Sequence, residues 1–86
     1  MPEISRFFGI VVTMFYNDHP PPHFHARYGE QKAIIAIEDG GVLEGSLSRR
    51  TYNLVREWWG LHREELTADW ELARHRAALN PIAPLE

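Results

Sequence analysis

The feature that most constrains this chain is a change of hydrophobic period at Ser48. Before it, short β-branched and aromatic runs are cut every few residues by Gly, Pro, Asn and Asp, the pattern of strands joined by tight turns. After it, Tyr52, Val55, Trp59, His62, Leu66, Trp70 and Ala73 recur at three- and four-residue spacing, the repeat of one helix face. Such a chain folds as α+β, sheet first and helical layer second. Its 86 residues suffice for a single domain, 1–86, with one modest core.

Four strands are predicted, at about 9–16 (GIVVTMFY), 23–28 (HFHARY), 33–37 (AIIAI) and 42–47 (VLEGSL). Asn17-Asp18, the prolines at 20–22, Gly29-Glu30 and Asp39-Gly40-Gly41 separate them, and turns this short favour an antiparallel meander. Ser48 is placed to cap a helix. One long helix is expected over about 49–77, packed on one sheet face and ended by Asn80-Pro81, with a break near Gly60 or Thr67 as the alternative. The tail PIAPLE is expected to dock loosely. In the third strand Ala33, Ile35 and Ile37 share one face, and Ile34 and Ala36 the other. Both faces are apolar and one helix covers only one, so a homodimer or a small cognate partner protein is expected on the open face.

Composition narrows the function classes. With 44% apolar and 24% charged residues, the chain is not of the disordered type. No cysteine is present, which excludes disulfides, thiolate metal sites and cysteine nucleophiles. The net charge is −3; Lys and Arg balance Asp and Glu over residues 1–37 and 49–86, and the deficit lies in Glu38, Asp39 and Glu44. A polyanion partner is therefore not announced by charge. No apolar run approaches the ~20 residues of a membrane span, and residues 1–15 do not read as a leader, so a cytoplasmic location is expected.

Chemistry concentrates in NDHPPPHFHARY, residues 17–28, which holds three of the five histidines. Alternation sends Phe24, Ala26 and Tyr28 toward the core. It lines up His23, His25 and Arg27 on the opposite face at spacings of about 6–7 Å. His19 lies across the three prolines. One reading has His19, His23 and His25 ligating a divalent metal such as zinc, with Asp18 or water completing the shell. A second has His23 and His25 as acid and base on a phosphodiester, with His19 as a third member and Arg27 and Lys32 contacting phosphate. That would be a metal-independent ribonuclease needing no cofactor. In the third, the imidazoles and prolines only shape a turn.

Weaker candidates read structurally. His62 lies on the apolar helix stripe as a core residue. Arg49 and Arg50 oppose the helix dipole and suit salt bridges to Glu44 or Glu38 as well as phosphate. Trp58 and Trp59 diverge, one toward the core and the other toward a partner or the sheet edge. Glu64, Glu65, Asp69, Glu71, Arg74 and Arg76 read as a solvated face with helical ion pairs.

Taken together, PEISRFFGIVV, NDHPPPHFHARYG, AIIAIEDGGVLEG and RRTYNLVREWWGLHREEL resemble one small bacterial family, the domain of unknown function numbered 4160, over residues 2–86. The block His19, Pro20, Pro22, His23, Phe24 and His25 matches the family pattern. The resemblance implies a stand-alone bacterial protein of the cytoplasm, often beside a second small protein in an arrangement similar to toxin–antitoxin pairs, and it carries no assigned activity. The leading expectation is a toxin–antitoxin-type component acting on RNA through the His/His/Arg row. The alternative is a non-enzymatic module whose histidine cluster binds a metal ion or shapes a protein interface.

Overall fold

A computed structural model describes residues 2–86. Five strands, β1 (Glu3–Phe7), β2 (Ile10–Thr13), β3 (His23–Tyr28), β4 (Gln31–Ala36) and β5 (Val42–Ser46), precede two helices, α1 (Arg49–Leu61) and α2 (Arg63–Arg74). The strands form one sheet in chain order, and every pairing is antiparallel. The architecture is therefore the expected α+β meander, with one strand and one helix break more than four strands and a continuous helix.

The additional strand is β1. A bulge between Glu3 and Ser5 places Ile4 and Ser5 both in buried positions, which erases the period-two signature. Phe8 and Gly9 join β1 to β2, both with positive φ (51° and 81°), as the two-residue hairpin turn of type I′ requires. Gly9 is thus a turn residue rather than the start of a strand.

The helix breaks at His62 (φ −129°, ψ 26°), between the two positions expected. Its carbonyl accepts from Leu66 N–H at 2.9 Å and so starts α2. Glu64 and Glu65 follow in the first turn of α2, where carboxylates meet the positive helix end. Glu65 also accepts from His62 Nδ1 at 2.6 Å. Ser48 caps α1 as expected, its Oγ accepting from Thr51 N–H at 3.3 Å. The helical region ends at Arg74, not near 77, with Arg76 at φ 56°.

Ile10, Val12, Phe24, Ala26, Ile35, Val55, Trp58 and Leu66 form the centre of one core between the sheet and the helices. Phe7 and Phe24 pack on Trp58 at 5.4 and 5.7 Å. Both adjacent tryptophans are buried, because each finds a carbonyl for its indole N–H. Trp58 donates to Ala83 at 2.9 Å and Trp59 to Ile37 at 2.7 Å. The tail is docked, contrary to expectation. Ile82 N–H donates to Ile4 O at 2.8 Å, and Ile82 and Leu85 are buried.

Asp69 is not part of a solvated face. It is 1% exposed, and its Oδ1 accepts from Asn80 N–H at 2.9 Å, which draws the tail onto α2. Burial pushes its carboxyl up, against the pull of that amide, and Glu65 adds to the rise. Tyr28 is 41% exposed rather than core, since it ends β3 beside the Phe8-Gly9 turn. Neither Arg49 nor Arg50 forms an ion pair among the described residues, whereas Glu71 and Arg74 do. Among the described residues no helix is long and apolar enough to cross a membrane.

Candidate functional site

The segment between β2 and β3 builds the site. Asn17 turns the chain at φ 54°, a left-handed conformation that Asn tolerates. Two contacts anchor this loop: Asn17 N–H donates to Ala73 O of α2 at 3.2 Å, and Pro22 O accepts from Ile37 N–H at 3.0 Å. Proline restricts the backbone between them, so little freedom is left where the histidines emerge.

Asp18 organises the side chains of this region. Its Oδ1 accepts from His19 N–H at 2.8 Å, which turns Oδ2 toward the two strand histidines. His23 Nε2 lies 2.9 Å from Oδ2, and His25 Nε2 lies 3.5 Å from it. His23 Nδ1 lies 2.8 Å from the Pro21 carbonyl. A carbonyl only accepts, so Nδ1 carries a hydrogen. The second nitrogen of His23 then faces a carboxylate, a position filled either by another proton or by a metal cation.

The two rings have different surroundings. His23 is 7% exposed and packs on Trp70 of α2 at 5.1 Å. His25 is half-buried, with Phe15 edge-on at 4.5 Å. Burial favours the protonated Asp18 carboxyl, but the His19 amide and the His23 and His25 imidazoles outweigh it and hold the group below its usual range. Burial pushes the His25 imidazole down; the Asp18 hydrogen bond opposes this, the neighbouring His23 adds to it, and the net shift is downward. An ionised carboxylate and a neutral imidazole are the states a metal ion takes as ligands.

Asp18, His23 and His25 each offer one donor atom, all within 4.8 Å of one another. His19 is exposed and stands outside this group; its backbone, not its ring, serves the site. Arg27 and Lys32 lie opposite each other on β3 and β4, on the sheet face away from the helices. His25 pairs with Ile34 on that same face. The alternation along β3 holds for His25 and Arg27, while His23, at the strand's first residue, is closed over by α2. Sequence reasoning admits Asp18 only as an optional ligand. The signal that promotes it is Asn17-Asp18 itself, a left-handed turn followed by a carboxylate whose nearest amide is the next residue.

No curated protein and no solved structure matches the chain. A match to one family pattern spans residues 9–71, from the β1–β2 turn to the last turns of α2, and includes the whole Asp18–His25 block but neither β1 nor the docked tail. On that match the chain belongs to the family described as Domain of unknown function (DUF4160).

Proposed function

We propose that this protein is a divalent-metal-binding module whose ion is held by Asp18 Oδ2, His23 Nε2 and His25 Nε2. The observation that carries the proposal is the convergence of these three atoms, with His23 Nδ1 already tied to the Pro21 carbonyl. Metal-bound histidines are regularly oriented by such a bond from the other ring nitrogen. Bonds of 2.0–2.1 Å in a tetrahedral shell put donor atoms about 3.3 Å apart; the two distances from Asp18 Oδ2, 2.9 and 3.5 Å, bracket that spacing, and the third pair lies within 4.8 Å. Two histidines and one carboxylate suit zinc or iron(II) and leave coordination positions open. A water bound there would lose its proton near neutrality. Metal analysis of the purified protein, with titration by zinc and by cobalt(II) followed through its visible spectrum, tests this. One equivalent bound by the wild type and lost in Asp18→Ala, His23→Ala and His25→Ala is expected. No saturable binding by the wild type would overturn it.

The second reading is an RNA-acting component of a toxin–antitoxin-type pair, with His23 and His25 as acid and base. The cations Arg27 and Lys32 beside His25 favour it. The buried, doubly bonded ring of His23 is poorly placed to exchange protons with a substrate, which is why the metal reading leads. Growth arrest on induction of the wild type, but not of a folded His23→Ala/His25→Ala variant, would reverse this order.

A further inference from the structure

The sheet face away from the helices carries a groove of about 510 Å³ lined by Phe15, His25, Arg27, Lys32, Ile34 and Glu44. Its size is that of a small-ligand site. The strand register explains its chemistry. Thr13, His25, Ile34 and Glu44 follow one another across β2 to β5, and Val11, Arg27, Lys32 and Ser46 form the next row.

Arg27 and Lys32 are therefore direct cross-strand neighbours with like charge, an arrangement that destabilises a sheet unless something neutralises it. Glu3 pairs closely with Arg6, at 3.2 and 2.7 Å, and feels Arg27 only through a weaker, longer-range attraction. No carboxylate stands at ion-pair distance from Arg27 or Lys32 among the described residues. The remaining walls differ in character. Phe15 and Ile34 supply an apolar side, and His25 leads from the groove into the Asp18–His23 cluster.

We propose that this groove is a binding site for an organic phosphate. The phosphate lies across Arg27 and Lys32, and the organic part runs over Ile34 and Phe15 toward His25. Two cations side by side match a phosphate's charge and its several acceptor oxygens. The subsite stands on Arg27 and Lys32 alone; only its connection to His25 rests on the metal reading. The same chemistry is offered by a small phosphate monoester and by a single RNA strand, and one probe of each kind distinguishes them.

Binding of phenyl phosphate and of a short oligouridylate is measured by titration calorimetry for wild type, Arg27→Gln/Lys32→Gln and His25→Ala, each with and without zinc. Both arginine and lysine are exposed, so the double variant retains the fold. Saturable binding by the wild type, weakened at least tenfold in the double variant with zinc uptake unchanged, is the expected result. Tighter binding of the oligouridylate than of phenyl phosphate would make RNA the source of the phosphate; the reverse would make it a small molecule. Equal binding by the double variant overturns the proposal, as does the absence of binding by the wild type. A second copy covering this face would produce that absence together with a dimer in sedimentation. If zinc uptake fails but phosphate binding still depends on Arg27 and Lys32, the metal reading falls and the subsite stands.

Discussion

Asp18 is where the geometry can be pressed hardest, because two substitutions separate its structural from its metal-binding role. Asp18→Ala removes the acceptor at both His19 N–H and His23 Nε2. His19 is exposed, so water replaces the carboxylate there. His23 is buried, and stranding a buried polar group costs about 1–3 kcal/mol. In a domain this small each kcal/mol moves the melting point by about 4–8 °C, so a fall of about 4–24 °C is expected. Asp18→Asn keeps an oxygen for the His19 amide and turns an NH2 toward His23 Nε2, so its cost should stay below about 1 kcal/mol. The comparison is made by thermal unfolding at pH 7 in chelator. The folded Asp18 carboxyl lies below its ordinary value of 3.8, so its stabilisation is present above that pH and lost as pH falls through the folded value. The gap between wild type and Asp18→Ala therefore closes only below pH 3.8. Zinc at about 100 times its Kd should then add about 2.7 kcal/mol to the wild type and far less to Asp18→Asn. A melting point for Asp18→Ala within about 2 °C of wild type, or undiminished zinc stabilisation of Asp18→Asn, would overturn this account of the carboxylate.

Gly40 has φ 71°, and a Cβ there would stand 2.9 Å from the Trp59 ring; Gly40→Ala should cost at least about 1–2 kcal/mol, read as a fall in melting point. Asp69 has its carboxyl raised by burial, so folded protein binds that proton more tightly than unfolded chain, and stability falls as pH rises from 3.8 through the folded value. Asp69→Asn keeps the acceptor for Asn80 N–H and should be more stable than wild type above that window, with the two curves converging below it in pH-resolved melts. Deleting residues 81–86 strips Ile82 and Leu85 from the core and the Ala83 carbonyl from Trp58; burial of each aliphatic side chain is worth about 1.5–3 kcal/mol, so the truncated chain should lose most of its stability in urea. His23→Ala gives up Trp70 packing and two hydrogen bonds of a buried ring, whereas His25→Ala gives up the edge contact with Phe15 and one long hydrogen bond of a half-buried ring. Each also loses the His23–His25 contact, so both should lose zinc while only the first melts markedly lower.

The meander from β2 to β5 was legible because its strands carry β-branched runs or, in His23–Tyr28, strict alternation with aromatics, and its turns are marked by Gly, Pro, Asn and Asp. β1 was not, since its bulge puts Ile4 and Ser5 on buried positions in succession. The helix break hid behind good periodicity: Leu66, Trp70 and Ala73 continue the stripe of α1, and only the acidic pair Glu64-Glu65 marks a new N-terminus. Asp69 read as solvated because charge is the usual guide to exposure; its burial depends on Asn80, eleven residues on, folding back to it. The candidate site was half legible. The spacing of His23 and His25 places them on one strand face, but the choice of Asp18 over His19 depends on a left-handed Asn17 that fixes which of two adjacent side chains faces inward.

The position of the cluster on β3 explains how one short strand can serve both stability and binding. From His23 through His25 to Arg27 the same sheet face passes from buried to half-buried to exposed. α2 and the anchored loop cover its start, and nothing among the described residues covers its end. An ion held by Asp18 and the first two residues would have a dry side against Trp70, where the Pro21 carbonyl orients the His23 ring and the His19 amide orients the Asp18 carboxylate, and a wet side toward the groove. Rigidity at one end and access at the other are what a site needs to hold an ion firmly while exchanging a ligand. The gradient follows from the meander itself. Because the helical layer meets the sheet through Phe24 and Ala26, the alternate residues of β3 must emerge on the opposite face, and the loop from β2 reaches the first two of them, His23 and His25, through Asp18.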